Sequence, residues 1–251
     1  MTEIFYSLLL FVVGAIAAII NVNAGGGSSL TLPTLIFLGL DSATANGTNR
    51  IAIIMQSVSS VYAFKQEKYE QFKLSIKLSL ITLPGAIIGA LIAIKIDDDL
   101  FQSILGIVMI GLIITILFPS KKSKIQDDSE DKKITLPLFI AFLITGFYGG
   151  FIQVGIGFIL MAILNKAMKF GLIYVNMHKV FVVLILTIPA LLVFILSGNV
   201  NWFWGVSLGL GNAAGGWWAT KVSVKKGDRF IKTILVAAIF IMALKLLRIL
   251  P

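Results

Sequence analysis

The chain predicts an all-α fold: a polytopic transmembrane helical bundle of two internal repeats of inverted topology, each carrying a glycine-broken helix. Three observations predict it. The 251 residues are 58% hydrophobic and only 13% charged, about half the charge of an average soluble domain. The apolar residues collect into long uncharged runs, and residue identities recur at a fixed spacing in the two halves. No cysteine is present, which removes disulfides, thiolate metal sites and cysteine nucleophiles together.

Marking the charges separates the apolar runs as roughly 4–22, 28–40, 43–64, 72–96, 100–118, 135–150, 152–165, 172–196, 202–220 and 230–249. A helix needs about 20 apolar residues to cross a hydrocarbon core. Six runs come near or above that length, whereas 28–40, 135–150 and 152–165 are short and interrupted by glycine. Seven to nine crossings with two short or broken elements are expected. The runs are continuously apolar rather than alternating with period two, which favours helices over barrel strands. Met1-Thr2-Glu3 gives an acidic start with no small-x-small cleavage pattern after the first run, so a signal peptide is not expected.

The charges between the runs predict sidedness. Lys65, Lys68, Lys73 and Lys77 flank one connection; Lys121, Lys122, Lys124, Lys132 and Lys133 fill the only long polar loop, 119–134; Lys221, Lys225, Lys226, Arg229 and Lys232 flank a third. Asp97-Asp98-Asp99 is acidic and Ser197-Gly198-Asn199 neutral. The positive-inside rule makes the basic loops around 65–77, 119–134 and 221–232 cytoplasmic in a plasma (inner) membrane protein. The net charge of +9 is thereby a topology signal dispersed over loops, and no nucleic-acid partner is expected.

The halves flanking 119–134 read as copies: a first transmembrane repeat 1–118, a charged cytoplasmic linker 119–134 and a second transmembrane repeat 135–251. At an offset of 130, Gly25 meets Gly155, Gly27 meets Gly157, Leu30 meets Leu160 and Asn46 meets Asn176. At 126, Gly85 meets Gly211, Gly89 meets Gly215 and Lys95 meets Lys221. Matching connections carry opposite charge: basic 65–73 answers neutral 197–201, and acidic 97–99 answers basic 221–232. If charge marks sidedness, the copies face opposite ways, which needs an odd number of crossings per copy. Four crossings each would make them parallel. Inverted repeats with broken helices place a transporter's substrate at the repeat interface.

Two stretches carry the chemistry. In Asn21-Val-Asn-Ala-Gly25-Gly26-Gly27-Ser28-Ser29 the glycine triplet breaks a helix, a break tolerated only where backbone faces protein or a wet cavity. Ser28 and Ser29 are placed to cap a helix restarting toward Pro33. Its N-terminus would offer free N–H groups to an oxyanion; close helix crossing is the other reading of the glycines. Asn46, Thr48, Asn49 and Arg50 open the run 43–64, and Asn176, His178 and Lys179 answer them in the second copy, with Gln153 before Gly155 and Gly157. Arg50 and Lys179 either snorkel to the interface or supply the cations of an anion site among neutral donors. His178, the only histidine, is a candidate for proton coupling and otherwise a hydrogen-bonded structural group. Trp202, Trp204, Trp217 and Trp218 suit interfacial anchoring. Pro84 and Pro189 lie mid-run, where proline bends helices.

All twelve acidic residues lie in loops or at run ends. A cation carrier or proton pump keeps carboxylates in the membrane, and a hydrolase needs a carboxylate pair, a Ser–His pair or a metal cluster. The inventory is that of a receptor for a small anion, with no metal, no cofactor and no enzyme activity expected.

Asn23-Ala-Gly-Gly-Gly-Ser-Ser-Leu-Thr-Leu-Pro-Thr-Leu-Ile-Phe-Leu-Gly-Leu40, then Ala45-Asn-Gly-Thr-Asn-Arg50, then Gly149-Gly-Phe-Ile-Gln-Val-Gly-Ile-Gly157 together resemble the sulfite exporter TauE/SafE family of membrane permeases, over essentially the whole chain. The second motif departs from the family pattern: Gly-x-Gly stands for a fuller glycine run, and Asn176-Met-His178-Lys179 for a small-residue stretch. The resemblance implies a duplicated secondary transporter of sulfite, thiosulfate, an organosulfonate or a related small anion. The alternatives are a transporter or channel for another small organic anion, and a non-transporting membrane accessory protein. The expected substrate-binding set is Gly25, Gly26, Gly27, Ser28, Asn46, Thr48, Asn49, Arg50, Gln153, Gly155, Gly157, Asn176 and Lys179, with the lipid bilayer as the other partner.

Overall fold

The structure, a computed structural model, describes residues 2–117, 128–129 and 131–246, with side chains at 3–112, 128–129 and 131–227. Every element among these residues is helical. In order they are α1 (Thr2–Ala24), α2 (Ser28–Phe37), α3 (Ser42–Gln66), α4 (Phe72–Ala93), α5 (Asp98–Leu117), α6 (Leu136–Phe151), α7 (Ile156–Ala162) with a π turn at Ile163–Ala167, α8 (Leu172–Leu196) and α9 (Trp202–Leu246). Among the described residues, three helices are long and apolar enough to cross a membrane by length and composition: Glu3–Ala24, Phe72–Ala93 and Leu172–Leu196. The elements follow the apolar runs because, in a bilayer, each run must close its own backbone hydrogen bonds.

One boundary differs from expectation. The ninth run was expected to end at 220, but α9 continues through Lys221, Lys225 and Lys226 and breaks only at Gly227 (φ 69, ψ −169). Lysine is a good helix former, and Lys221 Nζ sits 4.3 Å above the Trp217 ring one turn earlier, so the charges extend the helix. A left-handed φ of this kind suits glycine. Lys121, Lys122 and Lys124, and the side chains of Arg229 and Lys232, lie outside the described residues.

Two close helix pairs flank a central one. α1 runs beside α9 in the same direction: the Tyr6 and Trp204 rings are 5.9 Å apart, a Cβ on Gly211 would overlap the Phe11 carbonyl, and Ser223 Oγ donates to Asn23 Oδ1 at 2.5 Å. α6 runs beside α4 in the same way, where a Cβ on Gly146 would overlap Thr82 O and one on Gly150 would overlap Ala86 O. Without a hydrophobic drive between helices in lipid, such backbone approach over small residues supplies the packing. α3 and α8 lie between these pairs and touch each other, with the Gly47 backbone against Phe194. Both bury polar residues along their length, including Asn46, Asn49, Arg50, Gln56 and Ser60 of α3 and Asn176, His178, Lys179 and Thr187 of α8.

The two ends of the bundle differ in charge. At one, the Ser42 backbone N–H donates to Asp98 Oδ1 (2.5 Å) and that of Asn201 to Thr48 Oγ1 (2.9 Å). At the other, Asp128 of the linker accepts from Gln71 Nε2 through its carbonyl (2.5 Å) and from the Gly171 N–H through its carboxylate (2.7 Å). Phe64, Tyr69, Phe72, Ile173, Tyr174 and Val224 share one cluster there. The connection around Lys65 and Lys68, Asp128 of the linker and the Lys221–Lys226 turns therefore meet at a single end, basic among the described residues. Outward faces are apolar throughout, with Phe5, Leu80, Ile107, Leu192 and Trp218 about half exposed or more, as lipid-facing surface requires.

Candidate functional site

Each half breaks one helix, and the breaks meet. α1 stops at Ala24 and the chain turns through Gly25 (φ 86); α6 stops at Phe151 and turns through Gln153 (φ 59) and Gly155 (φ 75). A Cβ on Gly25 would overlap the Gly157 backbone, and one on Gly157 would overlap Gly25. Glycine is thus required at both places for backbone-on-backbone contact, and at Gly25 for the left-handed turn as well. From this crossing α2 and α7 start, and their first-turn N–H groups are largely taken up by the turns before them: Ser29 donates to Gly26 O, Leu30 to Gly27 O, Ile156 to Gln153 O and Phe158 to Gly155 O.

The capping of α2 differs from expectation. Gly27, with αR backbone (φ −59, ψ −34), is the N-cap residue and no side chain caps the helix. A Cβ at 27 would overlap the Ala17 carbonyl, so only glycine fits. Ser28 becomes the first helical residue, and Ser29 Oγ donates back to Gly26 O at 2.6 Å.

The two cations are held by hydrogen bonds across the halves, Lys179 through all of its donors and Arg50 through both Nη atoms, its Nε being unpartnered. Arg50, on α3 and wholly buried, donates from Nη1 to Gly149 O (3.1 Å) and Gln153 Oε1 (3.2 Å), and from Nη2 to Gly150 O (2.5 Å) and Asn46 Oδ1 (3.3 Å). Its guanidinium lies 4.7 Å from the centre of the Phe194 ring. Lys179, on α8 and 2% exposed, donates from Nζ to Asn21 O (3.0 Å), Val22 O (2.7 Å) and Asn176 Oδ1 (2.8 Å). Each cation therefore sits on the last-turn carbonyls of the broken helix in the opposite half, Arg50 on α6 and Lys179 on α1. The C-terminal end of a helix dipole is where positive charge is most favourable; the Asn21 carbonyl also accepts the Gly25 N–H, while the cations supply donors to last-turn carbonyls that lack an intrahelical one.

Beside the crossing is a cavity of roughly 10 Å³, about the space of one water. Of the expected site residues, Ser28, Gln153, Gly157 and Lys179 border it. Asn21, Gln56 and Ser57 border it too, as do Ile53, Ile156, Val180 and Val183. Gln153 Nε2 donates to Thr187 Oγ1 (2.7 Å), Asn21 Nδ2 donates to Gln56 Oε1 (3.1 Å), and Ser57 Oγ has no hydrogen-bond partner. Of the other expected residues, all but Thr48 frame this space. Asn46 Nδ2 donates to Phe151 O (2.7 Å) and Asn49 Oδ1 accepts from Thr31 Oγ1 (2.7 Å). Thr48 points away to the start of α9, where it accepts from the Asn201 N–H. Gly26 packs under the Phe158 ring and Gly155 against Leu112. His178 lies outside the cavity between α8 and α4, its Nδ1 2.8 Å from Ser75 Oγ, its ring centre 4.6 Å from that of Phe170, and its Nε2 unpartnered.

Gln56 and Ser57 are the residues that motif reading missed. The signal was present: Asn49, Arg50, Gln56, Ser57 and Ser60 recur at helical spacing and form one polar face in an otherwise apolar run.

An apolar-surfaced helical bundle that keeps buried polar groups at two helix breaks has the construction of a membrane transporter. The family model described as Sulfite exporter TauE/SafE matches residues 10–246, and the chain belongs to that family. It is 28% identical to the probable membrane transporter protein ORF9 of a Sinorhizobium species, over 98% of this chain and 95% of that one. It is 29% identical to the probable membrane transporter protein YfcA of Escherichia coli K12, over 95% and 88%, and 25% identical to a probable membrane transporter protein of Haemophilus influenzae, over 95% and 93%. No solved structure matches the chain. The protein is an integral membrane transporter of the TauE/SafE family.

Proposed function

We propose that the protein is a secondary carrier, in the plasma (inner) membrane, for a small sulfur oxyanion such as sulfite or thiosulfate, or for an organosulfonate, and that its site is the space where the two helix breaks cross. The observation that carries this reading is the convergence, beside the Gly25–Gly157 contact, of the hydroxyls of Ser28 and Ser57, the amides of Gln56 and Gln153 and the ammonium of Lys179. Neutral polar groups around one cation suit a small oxyanion, and none of the residues bordering the space is acidic. Gly25, Gly26, Gly27, Gly155, Asn46, Asn49, Arg50 and Asn176 hold the frame, while Thr48 ties α3 to the start of α9. The chemistry is binding and release, with no covalent step, so the protein is read as a transporter and not an enzyme.

The cavity holds about one water, so the structure corresponds to a closed state and loading requires the walls to separate. Repeats 1–118 and 135–251, joined by the linker 119–134, are intertwined, so the movement is read as one of α1 and α3 with α9 against α4 with α6 and α8, each group drawn from both repeats. The inverted relation of the repeats is supported by the pairing of α1 with α9 against that of α6 with α4, by the α3–α8 contact between them, and by five helical segments per half, an odd number, once α9 is divided at Gly227. We assign the basic end to the cytoplasm. His178 is carried as the proton-coupling candidate through its place on α8 next to Lys179.

The test is counterflow in proteoliposomes with labelled sulfite, sulfoacetate and sulfate. Saturable exchange of sulfite or sulfoacetate is expected. If none of the three is exchanged, or flux is unsaturable, the substrate class or the carrier mechanism is wrong.

A further inference from the structure

Three oxygens converge on Lys179 Nζ: the Asn21 and Val22 carbonyls at the end of α1 and the Asn176 side-chain carbonyl, at 3.0, 2.7 and 2.8 Å. All three ammonium protons are used, and no acidic side chain takes part. Hard oxygen ligands at the C-terminal end of a discontinuous helix, beside the substrate space, are how secondary transporters coordinate a coupling cation such as sodium. Lys179 borders that space together with Ser28, so a cation in the same cage could draw a further oxygen from the serine hydroxyl or from water. The equivalent oxygens on the other half are arranged differently. Gly149 O, Gly150 O, Gln153 Oε1 and Asn46 Oδ1 are spread over the two Nη atoms of a planar fork and do not converge on one point.

We propose that the oxygen cage of Asn21, Val22 and Asn176 is a cation-coordination site that this chain fills with its own tethered ammonium, so that the protein needs no alkali cation to close. Lysine is a compact point charge with three donors, the one side chain able to stand where a monovalent ion would. Release of the ammonium toward an arriving anion would free the end of α1 without any ion entering from solution. Calling the site a coupling site rests on the carrier reading above; the cage itself does not.

The test is thermal unfolding of the purified full-length protein, without substrate, in sodium chloride and in choline chloride at equal ionic strength. Wild type is expected to melt at the same temperature in both. Lys179→Ala empties the cage and should be stabilised by sodium saturably, by about 3–6 °C at ten times the Kd. Lys179→Met refills the volume without charge and should not respond. Recovery of Lys179→Ala as monodisperse protein only when sodium is present would be the same result in another form. Saturable stabilisation of wild type by sodium would overturn the proposal. So would a sodium response of Lys179→Met, indifference of Lys179→Ala, or failure to recover Lys179→Ala in either salt. The readout contains no anion, so it stands or falls separately from the substrate assignment.

Discussion

Arg50 and Lys179 perform one task in the two halves with different chemistry. Each rises from a central helix and closes the carbonyl end of the opposite half's broken helix. The guanidinium makes four hydrogen bonds, three to α6 and the turn after it and one to Asn46 of its own helix, beside the Phe194 ring and without bordering the cavity. The ammonium makes three, two of them to α1, and stands at the cavity wall. A rigid fork in a sealed place holds a joint; a point charge facing the ligand space can let one go. The difference assigns a static role to the first half's cation and a mobile one to the second's.

The comparison can be broken most severely at Arg50. Arg50→Ala strands two main-chain carbonyls and the side-chain oxygens of Gln153 and Asn46, each lost partner costing about 1–3 kcal/mol. Monodisperse protein should be largely absent on size exclusion, whereas Arg50→Lys, which can satisfy some of these oxygens, should be recovered in part. If Arg50→Ala is as stable as wild type, the fork does not hold the joint. Next is Lys179→Met, which removes three hydrogen bonds, about 1–3 kcal/mol for the stranded group. It should fold with a lowered melting temperature and lose counterflow, the reverse weighting from Arg50. A smaller effect is expected at the crossing. Gly155→Ala meets only the movable Leu112 side chain but keeps a left-handed φ, a cost of about 1–2 kcal/mol, while Gly157→Ala meets backbone and should cost more. Equal melting temperatures for the two would contradict the backbone contact.

Ser57→Ala should leave stability unchanged, because the Ser57 hydroxyl is unpartnered, yet raise the half-saturating anion concentration several-fold in counterflow. An unchanged value removes Ser57 from the site. The mildest case lies at the acidic end. Hydrogen bonds from Ser42 hold the Asp98 carboxyl below its ordinary range. A depressed folded-state value adds stability above the ordinary carboxylate range, and that stability is lost as pH falls through the folded value. Asp98 is exposed, so screening keeps the effect small. Melting temperature against pH should drop slightly more for wild type than for Asp98→Asn in the acid limb.

Much of this was legible in the residues, for physical reasons. Helices followed the uncharged runs because lipid forces each run to satisfy its own backbone, and the triplet Gly25–Gly27 and the pair Gly155 and Gly157 marked the breaks because only glycine turns and touches there. What stayed hidden depended on pairing across the chain. Arg50 and Lys179 stood out as cations, but no local pattern says that they meet carbonyls 99 and 157 residues away. Thr48 belonged to the right cluster in sequence, yet the helical turn points it at Asn201. Ser28 read as a cap until the Ala17 carbonyl is seen to leave no room for a side chain at 27. Gln56 and Ser57 were visible as a polar face but carried no motif.

The central claim is that an anion is held at the crossing of the two breaks. Selenite is a heavier analogue of sulfite, and its anomalous scattering locates it in a crystal of the protein. The account predicts one selenium peak within hydrogen-bonding reach of Ser28, Ser57 and Lys179, with the cavity enlarged around it. Selenium found only among the lysines of the basic end, with the crossing unchanged, would contradict it.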